Sequence, residues 1–338
     1  MLQSDPLVKE FGISVKEPET VSRFLGNFTF KTTQILRQIN FKVFKKILAK
    51  SGITSITIDI DSSVINVEGH QEGAVKGYNP KKHGNRCYNI QFAFCDELKA
   101  YITGFASEMI KEIVSSIKTD NLDILFRMDS GYFDEDSIKT IESLDCKYLI
   151  KGKVYPTLYS KVTDESVLFV EGEDGKETTS FSGKLDSWEQ DRRFVVSRVL
   201  KPEKERIQMS LSQGQEYDYF FFVTNTALPS EKVVISYEKR GNAENYIKEA
   251  KYDMSVGHLI LKSFWANEAV FQIMMLTYNL FLLCKMDCLN NTEYRQQIKT
   301  FRLKYVFIAA KIIKTARTVI MKISEKYPYK EVYEKCHT

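Results

Sequence analysis

Three acidic residues stand where their surroundings make an acid costly, and together they have the types that phosphoryl chemistry needs. SITIDIDSSVI (55–65) alternates as a strand does, so Thr57, Asp59 and Asp61 share one face while Ile56, Ile58 and Ile60 share the other. Two aspartates on an otherwise apolar strand need solvent, a cation or a metal ion, and a strand end emerging into water meets that need too. ILFRMD (124–129) ends a second apolar strand on Asp129, at the carboxyl end where sites of α/β sheets gather. Asp129 also suits the turn made by Ser130 and Gly131. The third acid lies in YEKRGNAENYIKEAKYD (237–253). On a continuous helix with Arg240 at zero, Lys251 falls near ~20°, Glu244 near ~40° and Tyr237 near ~60°, one polar stripe bordered by Ala243, Ile247, Ala250 and Met254. Glu249 falls on the opposite side. A surface helix with an Arg240–Glu244 ion pair would show the same stripe. Carboxylates on two strand ends and one helix are what two-metal phosphoryl transfer requires. Their oxygens hold two Mg2+ roughly 4 Å apart, one activating the attacking oxygen and the other stabilising the leaving oxygen.

The elements that must position these residues are legible in outline. Residues 1–50 read as helical, with apolar periodicity in FKTTQILRQINFKVFKKIL, and the uncapped opening reads like the interior of a longer protein. Residues 51–153 read as a mixed α/β core. Three strands (from 55, CYNIQFAFC and AYITGFA) are followed by a helix near 107–117, the strand ending at Asp129, a helix capped by Asp134, and the strand KYLIKG. Residues 154–228 turn to short β runs and form a second, β-rich unit containing Trp188 in KLDSWEQDRR. Residues 229–290 return to the core with the Glu244 helix and a following helix, and 291–338 read as a basic helical region.

Net charge is +4 over 338 residues, which permits a nucleic-acid partner without requiring one. Its distribution is more informative. Between 295 and 322 stand Arg295, Lys299, Arg302, Lys304, Lys311, Lys314, Arg317 and Lys322 with no Asp or Glu. A packed helix or helix pair with a basic outer face, suited to phosphates, is expected there; a solvated face has the same composition. The cysteines show no disulfide-framework spacing and nothing resembles a signal peptide, which points to a reducing cytoplasm. AVFQIMMLTYNLFLLC (269–284), interrupted by Gln272, Thr277 and Asn279, falls short of a bilayer span and reads as a buried helix, so no membrane partner is expected.

The sequence resembles the DDE transposases of bacterial insertion sequences, whose catalytic core is RNase H-like. Tyr237, Arg240, Glu244 and Lys251 match the signature Tyr-x2-Arg-x3-Glu-x6-Lys at every position, and Asp61-Ser62-Ser63 is similar to the family's Asp-(Ser/Thr)-(Ser/Thr) motif. RMDSGYF resembles the block of the second aspartate. The segments QEGAVKGYNP, FVTN and FRLKYVFIAAKIIKTAR resemble the insertion-sequence family numbered thirteen-eighty, so the likeness spans nearly the whole chain. The resemblance implies an α/β fold: an RNase H-like mixed sheet flanked by helices, with a β-rich insertion between the second Asp and the Glu and a helical C-terminal region. It implies Asp61, Asp129 and Glu244 as catalytic, metal-binding residues, preferring Asp61 to Asp59, with Mg2+ (two ions, Mn2+ as substitute) as cofactor. The implied activity is cut-and-paste transposition by strand cleavage and strand transfer. Its partners are double-stranded DNA, both terminal inverted repeats and target, and a second copy of the chain on DNA, in a bacterial, nucleoid-associated setting. Tyr237, Arg240, Lys251, Arg302, Lys304, Lys311, Lys314 and Arg317 are the implied DNA contacts. Trp188 either stacks on a displaced base or anchors the insertion's own core. The N-terminal region is shorter than the family's, so a catalytically silent DNA-binding remnant is one alternative, and a structure-selective RNase H-like nuclease another. The three carboxylates are expected to converge, with Asp59 one step removed, behind them or in solvent.

Overall fold

The computed structural model describes residues 14–67, 69–77, 83–105, 108–164, 166–172, 175–201, 216–259, 261–289, 291–315 and 318–335. Helices α1 (Pro18–Leu25) and α2 (Phe30–Ser51) come first. Strands β1 (Ser55–Asn66), β2 (Val75–Lys76), β3 (Arg86–Cys95) and β4 (Ala100–Gly104) follow, then α3 (Met109–Ile117), β5 (Asp123–Met128), α4 (Glu135–Ser143) and β6 (Lys147–Lys151). The short helix α5 (Pro156–Tyr159) leads to β7 (Val170–Glu171), β8 (Glu177–Gly183), β9 (Arg192–Leu200) and β10 (Tyr217–Thr224). Next come α6 (Ser230–Glu238), α7 (Gly241–Asp253), α8 (Phe264–Cys288), α9 (Ile298–Phe301), strands β11 (Ala310–Lys314) and β12 (Val319–Ile323), and α10 (Lys330–Lys335). Asp134 caps α4 as expected, its Oδ1 accepting from the Ser137 amide at 2.8 Å.

Two compact units form, one from Met1–Ile47, Val64–Ile90 and Ile247–Thr338, the other from Leu48–Ser63 and Gln91–Tyr246. The second holds most of a large mixed sheet in the order β3-β1-β5-β6-β10-β9-β8-β7, with β4 on β3. Strands β1, β5 and β6 are parallel, and the pairs β6–β10, β10–β9, β9–β8 and β8–β7 are antiparallel. The mixed α/β sheet flanked by helices is therefore present. The β-rich insertion expected over 154–228 is present as β7 to β10, and it joins the core sheet: β10 pairs with β6 from Thr224↔Leu149 to Phe222↔Lys151. Its alternating strands carry apolar residues on both faces (Phe194 and Val195, Phe221 and Phe222 are all buried), which favours joining an existing sheet over standing alone.

Alternation along the strands sorts the two faces. Leu149, Val195 and Phe222 pack with Val233 and Val234 of α6, with Leu125 against them. The opposite face carries Tyr148, whose hydroxyl lies 2.9 Å from Glu142 of α4, and Phe194. Trp188 belongs to that α4 face. Its ring stacks on Phe194 at 5.9 Å, lies 5.1 Å from Phe133, and is covered by the Arg192 guanidinium at 5.2 Å; Arg192 in turn pairs with Glu135 and Glu142. At 5% exposure the indole has no ring face left for a base, so the stacking role is corrected to the structural one.

In the first unit, α2 and α8 meet through buried polar contacts. Arg37 Nε donates to Glu268 at 2.9 Å and Asn40 Nδ2 to Gln272 Oε1 at 3.0 Å. Helix α8 runs 25 residues, longer than its uninterrupted apolar stretch, and among the described residues it is the one helix long and apolar enough to cross a membrane. A second correction concerns the basic run. Short helical turns over 298–306 and α10 make the C-terminal region partly helical, but 310–323 is a β-hairpin. Ile312, Ile313, Thr315, Thr318, Val319 and Ile320 are β-branched, and that local preference prevails over the wider-spaced cations read as a helix face.

Removing the Trp188 ring should cost about 3–5 kcal/mol, as for other buried aromatic-to-Ala changes. Urea unfolding of Trp188→Ala is expected to show that loss; unchanged stability would return the residue to a surface role.

Candidate active site

The site begins with a buried ion pair. Asp59 and Arg127 are register partners on the parallel strands β1 and β5, each 1% exposed. Arg127 Nε and Nη2 donate to the two Asp59 carboxylate oxygens at 2.6 and 2.7 Å, the bidentate geometry that makes such pairs strong. Nη2 also reaches Asp96 at 2.9 Å, and Nη1 donates to the Ser236 carbonyl at the end of α6 at 2.6 Å. Asp96 further accepts from the Tyr246 hydroxyl of α7 at 3.1 Å. One guanidinium thus ties β1, β5, the turn after β3 and both helices of the signature. Burial pushes the Asp59 carboxyl up, and Arg127 pulls it back. Asp59 stands one step behind Asp61, and the solvent-facing option is excluded.

Register carries this pair forward. Two residues past Asp59 and Arg127, on the same face, come Asp61 and Asp129. Both meet Arg240, whose Nη2 lies 2.8 Å from Asp61 Oδ1 and 3.8 Å from Asp129 Oδ2. The Asp61 carboxyl is raised by burial and by the charges of Asp129 and Glu244, against Arg240 and the Ser62 amide. Asp61 and Asp129 are thus brought together at Arg240, and Glu244 is near enough for its charge to weigh on Asp61. Asp129 also accepts from the Gly131 amide at 2.9 Å, so it serves its turn as well.

The signature is not one helix. Residues 239 and 240 form a turn between α6 and α7, with three successive short-range bonds (Arg240 N to Tyr237 O, Asn242 N to Lys239 O, Ala243 N to Arg240 O, each 2.9 Å). Gly241, a poor helix former, follows directly. The break turns Arg240 onto the aspartates and leaves Glu244 exposed in the first turn of α7. Tyr237 packs on Phe222 at 4.9 Å, and burial, aided by Asp129 and Asp61 and opposed by Arg240, pushes its phenol up to about 12. Lys251 donates to the Val64 carbonyl at 3.0 Å, near the end of β1.

The donors fit a hard divalent cation. Asp61 and Asp129 share one cationic partner, and burial together with the charge of Asp129 raises the Asp61 carboxyl. Among the described residues no three His, Cys, Asp or Glu side chains already stand in metal-holding reach; Arg240 bridges the aspartates instead. Its buried Nε and Nη2 lack a hydrogen-bond acceptor in line, so the guanidinium is held by charge more than by geometry.

Beside Glu244 lies a cleft of about 490 Å³ on the α6 face of the sheet, walled by Phe220, Phe222 and Tyr237 and edged by Lys151, Lys176, Arg240 and Glu244. Lys151 sits 5.7 Å over the Phe220 ring, Lys176 pairs with Glu238 at 2.7 Å, and the buried Ser197 hydroxyl in its lining has no hydrogen-bond partner. The insertion borders Glu244 through β9 and β10 and not through Trp188. Sequence reasoning missed Phe220, Arg127 and Tyr132. The buried Tyr132 hydroxyl also lacks a partner, and burial, then Asp129 and Asp61, hold its phenol neutral. The DNA contacts expected near the C-terminus divide. Arg302 bonds the Asp253 carbonyl at 3.0 Å and covers Phe281, and Lys304 lies 5.3 Å over Tyr329. Lys311 and Lys314 are exposed on the hairpin, and Arg317 lies outside the described residues.

A family model described as transposase DDE domain group 1 matches residues 14–338. No curated protein matches the chain. Among solved structures, the cryo-EM structure of the piggyBac transposase synaptic complex with hairpin DNA is similar at 11% identity and a TM-score of 0.40, over 66% of this chain. This chain covers about half of that one, 47%.

Replacing Arg127 by Met leaves Asp59 and Asp96 without their cation, which should cost about 3–5 kcal/mol. Asp59→Leu added to Arg127→Met should recover most of the loss in urea unfolding. A double variant no more stable than the single one would show that the pair does not carry the register.

Proposed function

This chain belongs to the group 1 family of transposase DDE domains, and from that premise we propose that it cleaves and rejoins DNA strands by a two-metal mechanism at Asp61, Asp129 and Glu244. The observation that carries the reading is the single guanidinium of Arg240 held by Asp61 and Asp129 while the Glu244 charge is felt at Asp61. Two aspartates sharing one cation suit a site built for positive charge.

Two Mg2+ ions, or Mn2+ in their place, would supply the activation of the attacking oxygen and the neutralisation of the leaving one. Asp61, Asp129 and Glu244 would hold them. Arg240, whose guanidinium is loosely satisfied between Asp61 and Asp129, would be available to a DNA phosphate once those acids hold metal. Lys151 and Lys176 line the adjacent cleft for the same backbone, and Phe220, 38% exposed, offers the aromatic surface first sought in Trp188. Tyr237 stays neutral and keeps the helix break seated on Phe222. The natural substrate is then double-stranded DNA, the inverted repeats of a bacterial insertion sequence of the thirteen-eighty type and its target. Two ends joined in one event imply two copies of the chain on DNA, working in the cytoplasm at the nucleoid.

Cleavage of a duplex carrying the inverted repeats that flank the gene tests this. Asp61→Asn, Asp129→Asn and Glu244→Gln should each reduce Mg2+-dependent cutting to background while circular dichroism is unchanged. Full activity in any one of them would remove that carboxylate from the mechanism. Phe220→Ala should slow cutting by about tenfold, the order of one lost stacking contact of about 1–3 kcal/mol, with little change in thermal stability; an unaltered rate would empty the cleft of its role.

A further inference from the structure

The hairpin of β11 and β12 has no core of its own. None of its ten strand residues is buried, and Ile312, Ile320 and Met321 are 37%, 45% and 43% exposed. A lone two-stranded ribbon is marginal in water, so its order calls for local pinning and for a partner. The pinning is visible at the tip. The Thr315 amide donates to the Thr318 carbonyl at 2.8 Å, the Thr318 amide to Thr315 Oγ1 at 3.1 Å, and the two hydroxyls lie 2.7 Å apart.

The partner is marked by charge. Lys311 and Lys322 are direct cross-strand partners, an arrangement that repels unless an anion lies against it. The next pair on that face is Ile313 and Ile320, and the whole run 295–322 lacks an acid. A face with paired ammonium groups at one end and branched apolar side chains beside them is complementary to an anionic surface that also offers apolar groups. It fits a polyanion with apolar edges within reach. The major groove of B-form DNA admits a two-stranded ribbon, with phosphates along its rims and thymine methyls on its floor.

We propose that the 310–323 hairpin is a double-stranded-DNA docking ribbon that enters the major groove with Lys311 and Lys322 on phosphates and Ile313 and Ile320 toward the base edges. This rests on the reading of the chain as a DNA-processing enzyme and adds a second contact surface to it.

The test uses the full chain in chelator, so that binding is read without cutting, and a mixed-sequence 30-base-pair duplex, an arbitrary probe length, with its single strand. Lys311→Ala with Lys322→Ala should weaken duplex binding several-fold and shrink the slope of log K against log salt by about 2, near 0.9 per phosphate lost. Lys311→Arg with Lys322→Arg should keep the wild-type slope. Dimethyl sulfate should find guanine N7 protected by the wild type and open in the Ala pair. An unchanged slope overturns the proposal. So does a slope loss with no N7 protection in the wild type, which would mean backbone contact outside the groove, or a sedimentation change in place of a DNA change, which would make a second copy the partner. Mg2+-dependent cutting that still requires Asp61 alongside any of these results leaves the catalytic reading standing and removes only this inference.

Discussion

The Asp59–Arg127 pair sets where everything else can be. Burying a carboxylate and a guanidinium between apolar strands is tolerated only in a geometry that satisfies both, and slipping β1 against β5 by one residue would send Asp59 to the far face, away from Arg127. With the register held, Asp61 and Asp129 arrive side by side just past the last β1–β5 pair, Ile60↔Met128, with no further instruction. The same guanidinium also binds Ser236 and Asp96, and Asp96 holds Tyr246. The helix bearing Glu244 is thus located by the residue that aligns the aspartates. The placing of Asp61, Asp129 and α7, from distant parts of the chain, depends here on one buried cation, Arg127.

The widened sheet follows a similar economy of parts. By pairing β10 with β6, the insertion continues the face on which α6 packs and lays Phe220 and Phe222 beside Glu244. Its other face is sealed by Trp188, Phe133 and Phe194 under the Arg192 guanidinium. One face carries an open cleft and the other is closed. That division explains why the conspicuous tryptophan is structural while a plain phenylalanine borders the cleft.

Much of this was legible in the residues. The strands that carry Asp61 and lead into Asp129 follow from alternation, and the Asp134 cap from local rules, although β1 runs on past Asp61 to Asn66. The position of Glu244 required the resemblance, because a surface ion-paired helix has the same polar stripe. Arg127 was legible and was passed over: Asp59-x-Asp61 and Arg127-x-Asp129 share a spacing of two, so opposite charges at equal offsets on two apolar strands already describe a parallel register. The break at Gly241 was hidden because angular bookkeeping assumes a continuous helix, while one glycine and a short-range turn redirect Arg240. The hairpin was misread because the spacing of its cations was weighed above its β-branched residues. Which face Trp188 covers depends on pairing between strands far apart in sequence, which local patterns do not encode.

The most direct measurement of the central claim is anomalous diffraction from crystals of the protein grown with Mn2+. The account predicts two peaks roughly 4 Å apart, within about 2.1 Å of oxygens from Asp61, Asp129 and Glu244, with Arg240 displaced from Asp61 and the Asp59–Arg127 pair unmoved. Mn2+ bound elsewhere, or Arg240 still seated on Asp61 at saturating Mn2+, would contradict it.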